Sequence, residues 1–505
     1  MKGPASAADI GGYRALVESH AADLRAAGLL REDLLIANCW VPATSGERLA
    51  VTDPATGVVL ADVACATAED ASRAVEVADS ARAAWSARPA TERADLVMAW
   101  HDLLRQHEEQ LAVLLTIEQG KPLAEARGEI AYSAAFVRFF AEETRRAYGE
   151  VIPHNRPGRR LLALRQPVGV VAAITPWNFP ALMIARKVAP AIAAGCTVVL
   201  KPASETPLSA LALAELAVRA GLPAGVLNVV HGDPVTVGSV LTGAPAVRML
   251  TFTGSTDVGR LLMAQCAPTV KRMGLELGGN APFVVFDDAD IEAAVAGAID
   301  SKFRNAGQTC VCANRILVQD GVYEEFADAY VKAASTLTVG HGLGDGVTIG
   351  PLITEEAVAK VERHIADALG GGAELRYGGA RHELGGTFFT PTVLTGATPE
   401  MEIATAETFG PAAPLLRFGT EDEALALANA TESGLSAYFY TRDAGRMVRF
   451  GEGLEFGVVG VNTGAISYEG APFGGMKQSG IGREGSRHGM EEFLELKYLC
   501  VDGLA

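Results

Sequence analysis

From Val168 to Gly254 the chain repeats one unit: a short apolar run with β-branched residues, a turn, then a stretch of helical spacing. "VGVVAAI" precedes a helical stretch near 180–194, "TVVLK" (197–201) one near 208–220, and "VLNVV" (226–230) one near 234–242; "RMLTFTG" (248–254) closes the series. Short strands alternating with helices make βαβ units. Their crossover helices must cover the sheet faces, so the expected class is α/β with a parallel, doubly wound sheet. Ligands of such sheets sit outside the carboxyl ends of the strands. Those ends here are "ITPWN", "KPAS" and "FTGSTDVG". "PFVVF" (282–286) begins a second alternating series that runs to about 470. Upstream, 69–84 and 91–118 carry apolar residues at three- and four-residue spacing and read as amphipathic helices. "RLAVTDPATGVVLADVACAT" reads as two short strands around a turn, and the tail "EEFLELKYLCV" as a strand with a charged end.

A length of 505 residues suits two or three domains. The net charge of -17 argues against nucleic acid or an anionic membrane as a partner, so an anionic substrate needs a local cationic pocket. Seven scattered cysteines are not a disulfide framework, and the expected compartment is reducing and cytoplasmic. There is no CxxC pair and no HExxH, so no metal is expected. The apolar stretch from Val168 to Leu200 is broken by Asn178, Arg186, Lys187 and prolines, which excludes a membrane span. The N-terminus lacks the order of a signal peptide.

The chemistry-bearing residues are individually weak signals. "GIGREG" (480–485) has the spacing of a dinucleotide fingerprint but follows "MKQSG" and not a strand, so a turn is the better reading. "FTGSTDVG" follows a strand and opens a helix, placing the amides at Gly254 and Ser255 where a phosphate binds. Glu276 in "GLELGG" reads alone as a turn carboxylate, and Asn178 in "TPWNFP" as a turn amide. In "KFRNAGQTCVCANR" (302–315), Cys310 and Cys312 leave a zinc site, a disulfide, core fillers and a nucleophile open. Taken together, a thiol, a carboxylate, an amide donor and a nucleotide-type sheet form a set for oxidising an aldehyde.

"PWNFP", "KPASETP", "FTGSTDVG", "LELGGN", "GQTC", "ETFGP" and "PFGGMKQSGIGREG" occur in this order. The chain resembles the aldehyde dehydrogenase superfamily over essentially its whole length. "KFRNAGQTCVCANR" and "REGSRHGMEEFLELKYLC" resemble its succinate-semialdehyde branch. The resemblance implies two doubly wound parallel-sheet domains and a small β arm for oligomerisation. The cofactor-binding domain would span 1–148 and 169–278, the catalytic domain 279–482, and the arm 149–168 and 483–505, in a homodimer or homotetramer. It makes Cys310 the nucleophile, Asn178 with the Cys310 N–H the oxyanion donors, and Glu276 the base for the hydrolytic water. It assigns the cofactor to Thr175, Pro176, Trp177 and Asn178, to Lys201 at the ribose, and to Gly254 and Ser255 at the phosphates. Leu277, Glu407 and Phe409 would lie at the nicotinamide end. Ser204 beside Lys201 leaves room for a 2′-phosphate, as in NADP-using members, while Glu205 partly cancels that charge; NADP is expected, with NAD also accepted.

By the branch pattern, Arg186, Arg304 and Ser467 clamp the carboxylate of a small carboxylated aldehyde, and Phe473 supplies an apolar wall. Tyr468 is expected at the pocket rim, shortening the tunnel or adding a hydrogen bond. Cys312 is a redox partner for Cys310 or a buried structural thiol. The expected reaction is oxidation of succinate semialdehyde to succinate. Glutarate semialdehyde is the nearest alternative substrate, and a thiol hydrolase or a non-catalytic binding protein are the alternatives of another class.

Overall fold

The computed structural model describes residues 10–503. Helix α1 (Ile10–Ala26) leads into two hairpins, β1 (Leu34–Ile36) with β2 (Cys39–Val41) and β3 (Arg48–Thr52) with β4 (Val59–Ala64). Four helices follow: α2 (Ala68–Ser86), α3 (Ala90–Gln106), α4 (Glu108–Gln119) and α5 (Leu123–Glu143). After β5 (Glu150–Ile152) and β6 (Arg160–Pro167) comes the alternating series. It runs β7 (Val170–Ile174), α6 (Leu182–Ala194), β8 (Thr197–Lys201), α7 (Pro207–Arg219), β9 (Leu227–Val229), α8 (Pro234–Gly243), β10 (Val247–Thr253), α9 (Thr256–Cys266) and β11 (Arg272–Glu276).

These strands form a sheet in which β9, β8, β7, β10 and β11 lie side by side and parallel. The chain builds outward from β7 to β9, then returns to the other side of β7 with β10. That reversal leaves a crevice at the carboxyl ends of β7 and β10, the place where open α/β sheets bind ligands. Alternate residues of β7 enter different cores, Val171 and Ala173 on one face and Val170 and Ala172 on the other. All thirteen residues of α6 are buried, and the helix stops at Gly195, whose φ of 100° suits only glycine.

The second sheet contains β12 (Ala281–Val285), β13 (Ala313–Gln319), β14 (Glu374–Tyr377), β15 (Thr392–Thr395) and β16 (Ala412–Phe418). Past the short β17 (Ser433–Gly434), β18 (Ser436–Tyr440) and β19 (Val458–Val461) complete it, with α10 (Ile291–Phe303) crossing from β12 to β13. Its order is β14-β15-β16-β13-β12-β18-β19, parallel except at β14, over an aromatic-rich core. The chain then makes β20 (Met476–Lys477), β21 (Gly480–Ile481) and finally β22 (Leu494–Val501). Strands β22, β6 and β5 form a separate antiparallel sheet, with Val151, Leu496 and Tyr498 exposed on it.

Two expectations change. The segment 91–118 is two helices, broken at His107 (φ -103°, ψ 16°), because α3 packs on α5, α6 and α7 while α4 also turns toward α1. Gly480 and Ile481, within the range 279–482 expected for the catalytic domain, pair with β11 and so extend the first sheet. Residues 1–9 and 504–505 of the expected ranges lie outside the described residues. No helix among the described residues is long and apolar enough to cross a membrane.

Candidate active site

Cys310 sits on the turn between α10 and β13. Asn305, Ala306 and Gly307 all have left-handed backbone, with φ of 51°, 54° and 75°. For the first two this is costly, and the turn is held by hydrogen bonds on both sides. The Asn305 amide donates to Glu125 Oε2 at 2.8 Å, and Gln308 Oε1 accepts from the Ile353 amide at 2.9 Å. Bare main chain packs around it. A Cβ on Gly279 would lie 2.4 Å from the Cys310 carbonyl oxygen, and one on Gly307 would lie 2.3 Å from that of Gly410.

Two cavities meet at Cys310. The first, about 290 Å³, occupies the crevice between the ends of β7 and β10. Pro176, Trp177 and Asn178 line it from the β7 side, Gly254 and Ser255 from the β10 side, and Leu277, Glu407 and Phe409 close it. Ser255 caps α9, its Oγ accepting from the Val258 amide. Trp177 meets Phe409 edge to face at 5.6 Å. Glu407 accepts the Gly279 amide at 3.0 Å, and burial pushes its carboxyl up to about 7.

Thr175, Lys201 and Ser204 lie outside both cavities. Thr175 is buried and its amide donates to the Lys201 carbonyl at 3.1 Å, tying the ends of β7 and β8. Burial holds the Lys201 ammonium below its usual range, with Glu205 and Asp233 acting the other way.

The second cavity, about 320 Å³, brings together Arg186, Arg304, Ser467 and Phe473. The two arginines differ. Arg186 is buried, stacks 3.8 Å over Phe473 and pairs through Nε with Glu484 at 2.9 Å, while its Nη2 has no hydrogen-bond partner. Arg304 lies 5.4 Å from the Phe179 ring, and among the described residues no carboxylate comes within ion-pair distance of it. Tyr468 is 63% exposed and does not line the cavity; its ring lies against Gly470 on the outside. In its place the cavity has Tyr132, which sequence reasoning missed along with Glu125. Both project from α5, and Glu125, Glu129, Tyr132 and Phe136 recur at the spacing of one helix face, a signal hidden by their mixed polarity. Burial pushes the Tyr132 hydroxyl up to about 12, against the pull of Arg186.

Burial, then Glu407, pushes the Cys310 thiol up to about 12. Asn178 donates from Nδ2 to the Gln308 carbonyl at 3.1 Å, which leaves its second N–H uncommitted. Glu276 ends β11 but lines neither cavity; it lies in a small pocket with Arg483, Glu484 and Glu492. Both of its carboxylate oxygens are buried without a hydrogen bond, so burial first and Glu484 second raise its pKa well above the usual carboxylate range. Glu276 is thus a raised acid that does not line either cavity. Cys312 is buried, its thiol donating to the Gly307 carbonyl at 3.3 Å.

The first cavity fits a nicotinamide dinucleotide. Thr253 and Asn178 each bring to it a buried side-chain oxygen with no partner, acceptors that a ligand's hydroxyl or amide groups would satisfy. The N-terminus of α9 suits a phosphate.

Residues 40–499 match the family model described as the aldehyde dehydrogenase family. The chain is 59% identical to the 3-sulfolactaldehyde dehydrogenase of Pseudomonas putida and 58% identical to the NADP(+) succinate-semialdehyde dehydrogenase of Escherichia coli. Each match covers 95% of this chain and 99% of the relative. Among solved structures, the succinate-semialdehyde dehydrogenase of Burkholderia pseudomallei superposes with a TM-score of 0.93 at 57% identity, covering 94% of this chain and 99% of that one.

Proposed function

The chain belongs to the aldehyde dehydrogenase family, and we propose that it oxidises succinate semialdehyde to succinate with NADP or NAD. One observation carries this reading: Cys310 stands where a crevice fitted for a dinucleotide meets a cavity holding the uncommitted cation of Arg304. Both relatives just named act on aldehydes with an anionic group at the far end, which agrees with such a cavity.

Cys310 gives its proton to solvent water and its thiolate attacks the aldehyde carbon, giving a thiohemiacetal whose oxygen carries the negative charge. The negative oxygen is met by the free N–H of Asn178 and the backbone N–H of Cys310, fixed donors of the kind worth about 10²–10³ in rate each. Trp177, Gly254, Ser255, Glu407 and Phe409 would hold a dinucleotide, which when bound would supply the hydride acceptor. The resulting Cys310 thioester is hydrolysed by water, with Glu276 taking its proton. No hydrogen bond holds the Glu276 carboxyl in its own pocket, so turning toward the sulfur breaks none. At the far end, Arg304, Arg186 Nη2 and Ser467 bind the carboxylate, Tyr132 adds a fourth polar group, and Phe473 walls the chain. The cavity of about 320 Å³ has room for one more methylene, so glutarate semialdehyde is the second reading.

The exposed apolar residues of the β5-β6-β22 sheet support assembly of copies into a dimer or tetramer through that arm. Free cysteines suit a cytoplasmic location. A steady-state comparison of four- and five-carbon semialdehydes and butanal, each with NAD and NADP, tests the function. Equal kcat/KM for butanal and the semialdehydes would refute it.

A further inference from the structure

The main chain at Asn178 is gripped from two sides. Lys121, buried between α4 and α5, donates from Nζ to the Asn178 carbonyl at 2.8 Å and to Glu129 Oε2 at 2.6 Å. Glu129 in turn accepts, through Oε1, the amides of Ala181 and Leu182 at 3.0 and 3.1 Å, where α6 begins. From the other side Asn305 Nδ2 donates to the same Asn178 carbonyl at 3.0 Å. The Gln308 carbonyl accepts from Asn305 Nδ2 at 3.2 Å and from Asn178 Nδ2 at 3.1 Å. That last bond fixes which way round the Asn178 amide lies, since a flipped amide would set its oxygen against the Gln308 oxygen.

The loop bearing the amide donor and the turn bearing the nucleophile therefore share one carbonyl, and among the described residues Lys121 supplies the only formal charge on it. Packing alone does not call for a charge here. An apolar side chain of similar length fills such a site without the cost of desolvating an ammonium.

We propose that Lys121 is a positioning residue for oxyanion stabilisation, holding the Asn178 main chain so that the free amide N–H meets the oxygen formed on the Cys310 adduct. This rests on the catalytic reading of Cys310 and Asn178 given above. Lys121 lines neither cavity itself but touches Asn178 in the wall of the first and Glu129 and Phe179 in the wall of the second, so the test must separate an effect through Asn178 from one on the substrate wall, which would show in KM.

The test is a double-mutant cycle on kcat and KM with succinate semialdehyde: parent, Lys121→Met, Asn178→Ala, and both together. Lys121→Met lowers kcat about 10- to 100-fold, a part of the 10²–10³ expected for losing the donor itself, with KM within about threefold of the parent. In the Asn178→Ala background the same change costs less than about threefold, because nothing remains to be positioned. Lys121→Met alone leaves Glu129 an unpaired buried charge. The cycle is therefore repeated with Lys121→Met/Glu129→Gln, and with Asn305→Gly, which removes the second donor to the carbonyl and keeps its left-handed backbone comfortable. A kcat for the Lys121 variants within threefold of the parent, or losses that multiply with Asn178→Ala, would overturn the proposal. A parent enzyme that makes no acid from any aldehyde would overturn the catalytic reading instead.

Discussion

Replacing Arg304 with Met isolates recognition of the substrate's anionic end. The guanidinium lines the second cavity and has no carboxylate within ion-pair distance among the described residues, so its removal breaks no internal salt bridge. What is lost is its bond to the substrate carboxylate, a charge-assisted contact worth about 1.5–3 kcal/mol, and more where two N–H groups engage. Taking about 2–4 kcal/mol at a tenfold change per 1.4 kcal/mol, kcat/KM for succinate semialdehyde falls about 30- to 1,000-fold. Butanal has no charge to recognise and stays within about threefold. The assay is steady-state kinetics with both aldehydes, read as the ratio of the two kcat/KM values. The melting temperature should move little, whereas Arg186→Met strips the half-buried Glu484 of one of its two cationic partners, leaving Lys187, and costs about 1–3 kcal/mol of stability. Equal losses for the two aldehydes, or none for either, would refute the argument that Arg304 reads charge.

With its pKa pushed up to about 12, the Cys310 thiol is almost wholly protonated near pH 7.5 in the cofactor-free protein. Its alkylation by iodoacetamide, followed by peptide mass spectrometry, should therefore rise about tenfold per pH unit between 7 and 9; a flat profile would contradict a buried, unactivated thiol. Glu407, raised to about 7, is protonated below that pH and charged above it, so cofactor affinity measured by tryptophan quenching should weaken as pH falls from 8 to 6. Glu407→Gln should flatten that dependence. Peroxide should inactivate reversibly through a Cys310–Cys312 bridge only after Cys312 leaves the Gly307 carbonyl, and Cys312→Ala should abolish the reversible part. Peroxide-treated protein that shows no bridge and keeps its activity rules out the redox pairing.

Strands β7 to β10 of the first sheet were legible because each is a short, mostly apolar run flanked by turn residues, as with "TVVLK" between Gly195 and Pro202, whereas β1, β2 and β21 are too short to stand out. Although Leu277, Glu407 and Phe409 were reached only through the family resemblance, the loops after β7 and β10 were legible too, since Trp177, Asn178, Gly254 and Ser255 follow from where those strands end. Pairings between distant segments were not. Nothing near Arg186 announces that Glu484, some 300 positions later in the chain, takes its Nε, or that the same carboxylate helps raise Glu276. The split at His107 was hidden because apolar spacing continues through it, and only the neighbours of α3 and α4 decide where the helix must bend. Tyr468 failed for a simpler reason: adjacency to Ser467 says nothing about which way a loop side chain turns.

The close main-chain packing at Gly279 and Gly307 separates the two halves of this enzyme's task. The sulfur is carried on bare peptide pressed against bare peptide, while the opposite wall is built of interchangeable side chains on α5, α6 and the loop around Ser467. Selection can redraft that wall for a longer or differently charged aldehyde without disturbing the warhead. Any branch added at either glycine would displace the reactive atom for every substrate alike.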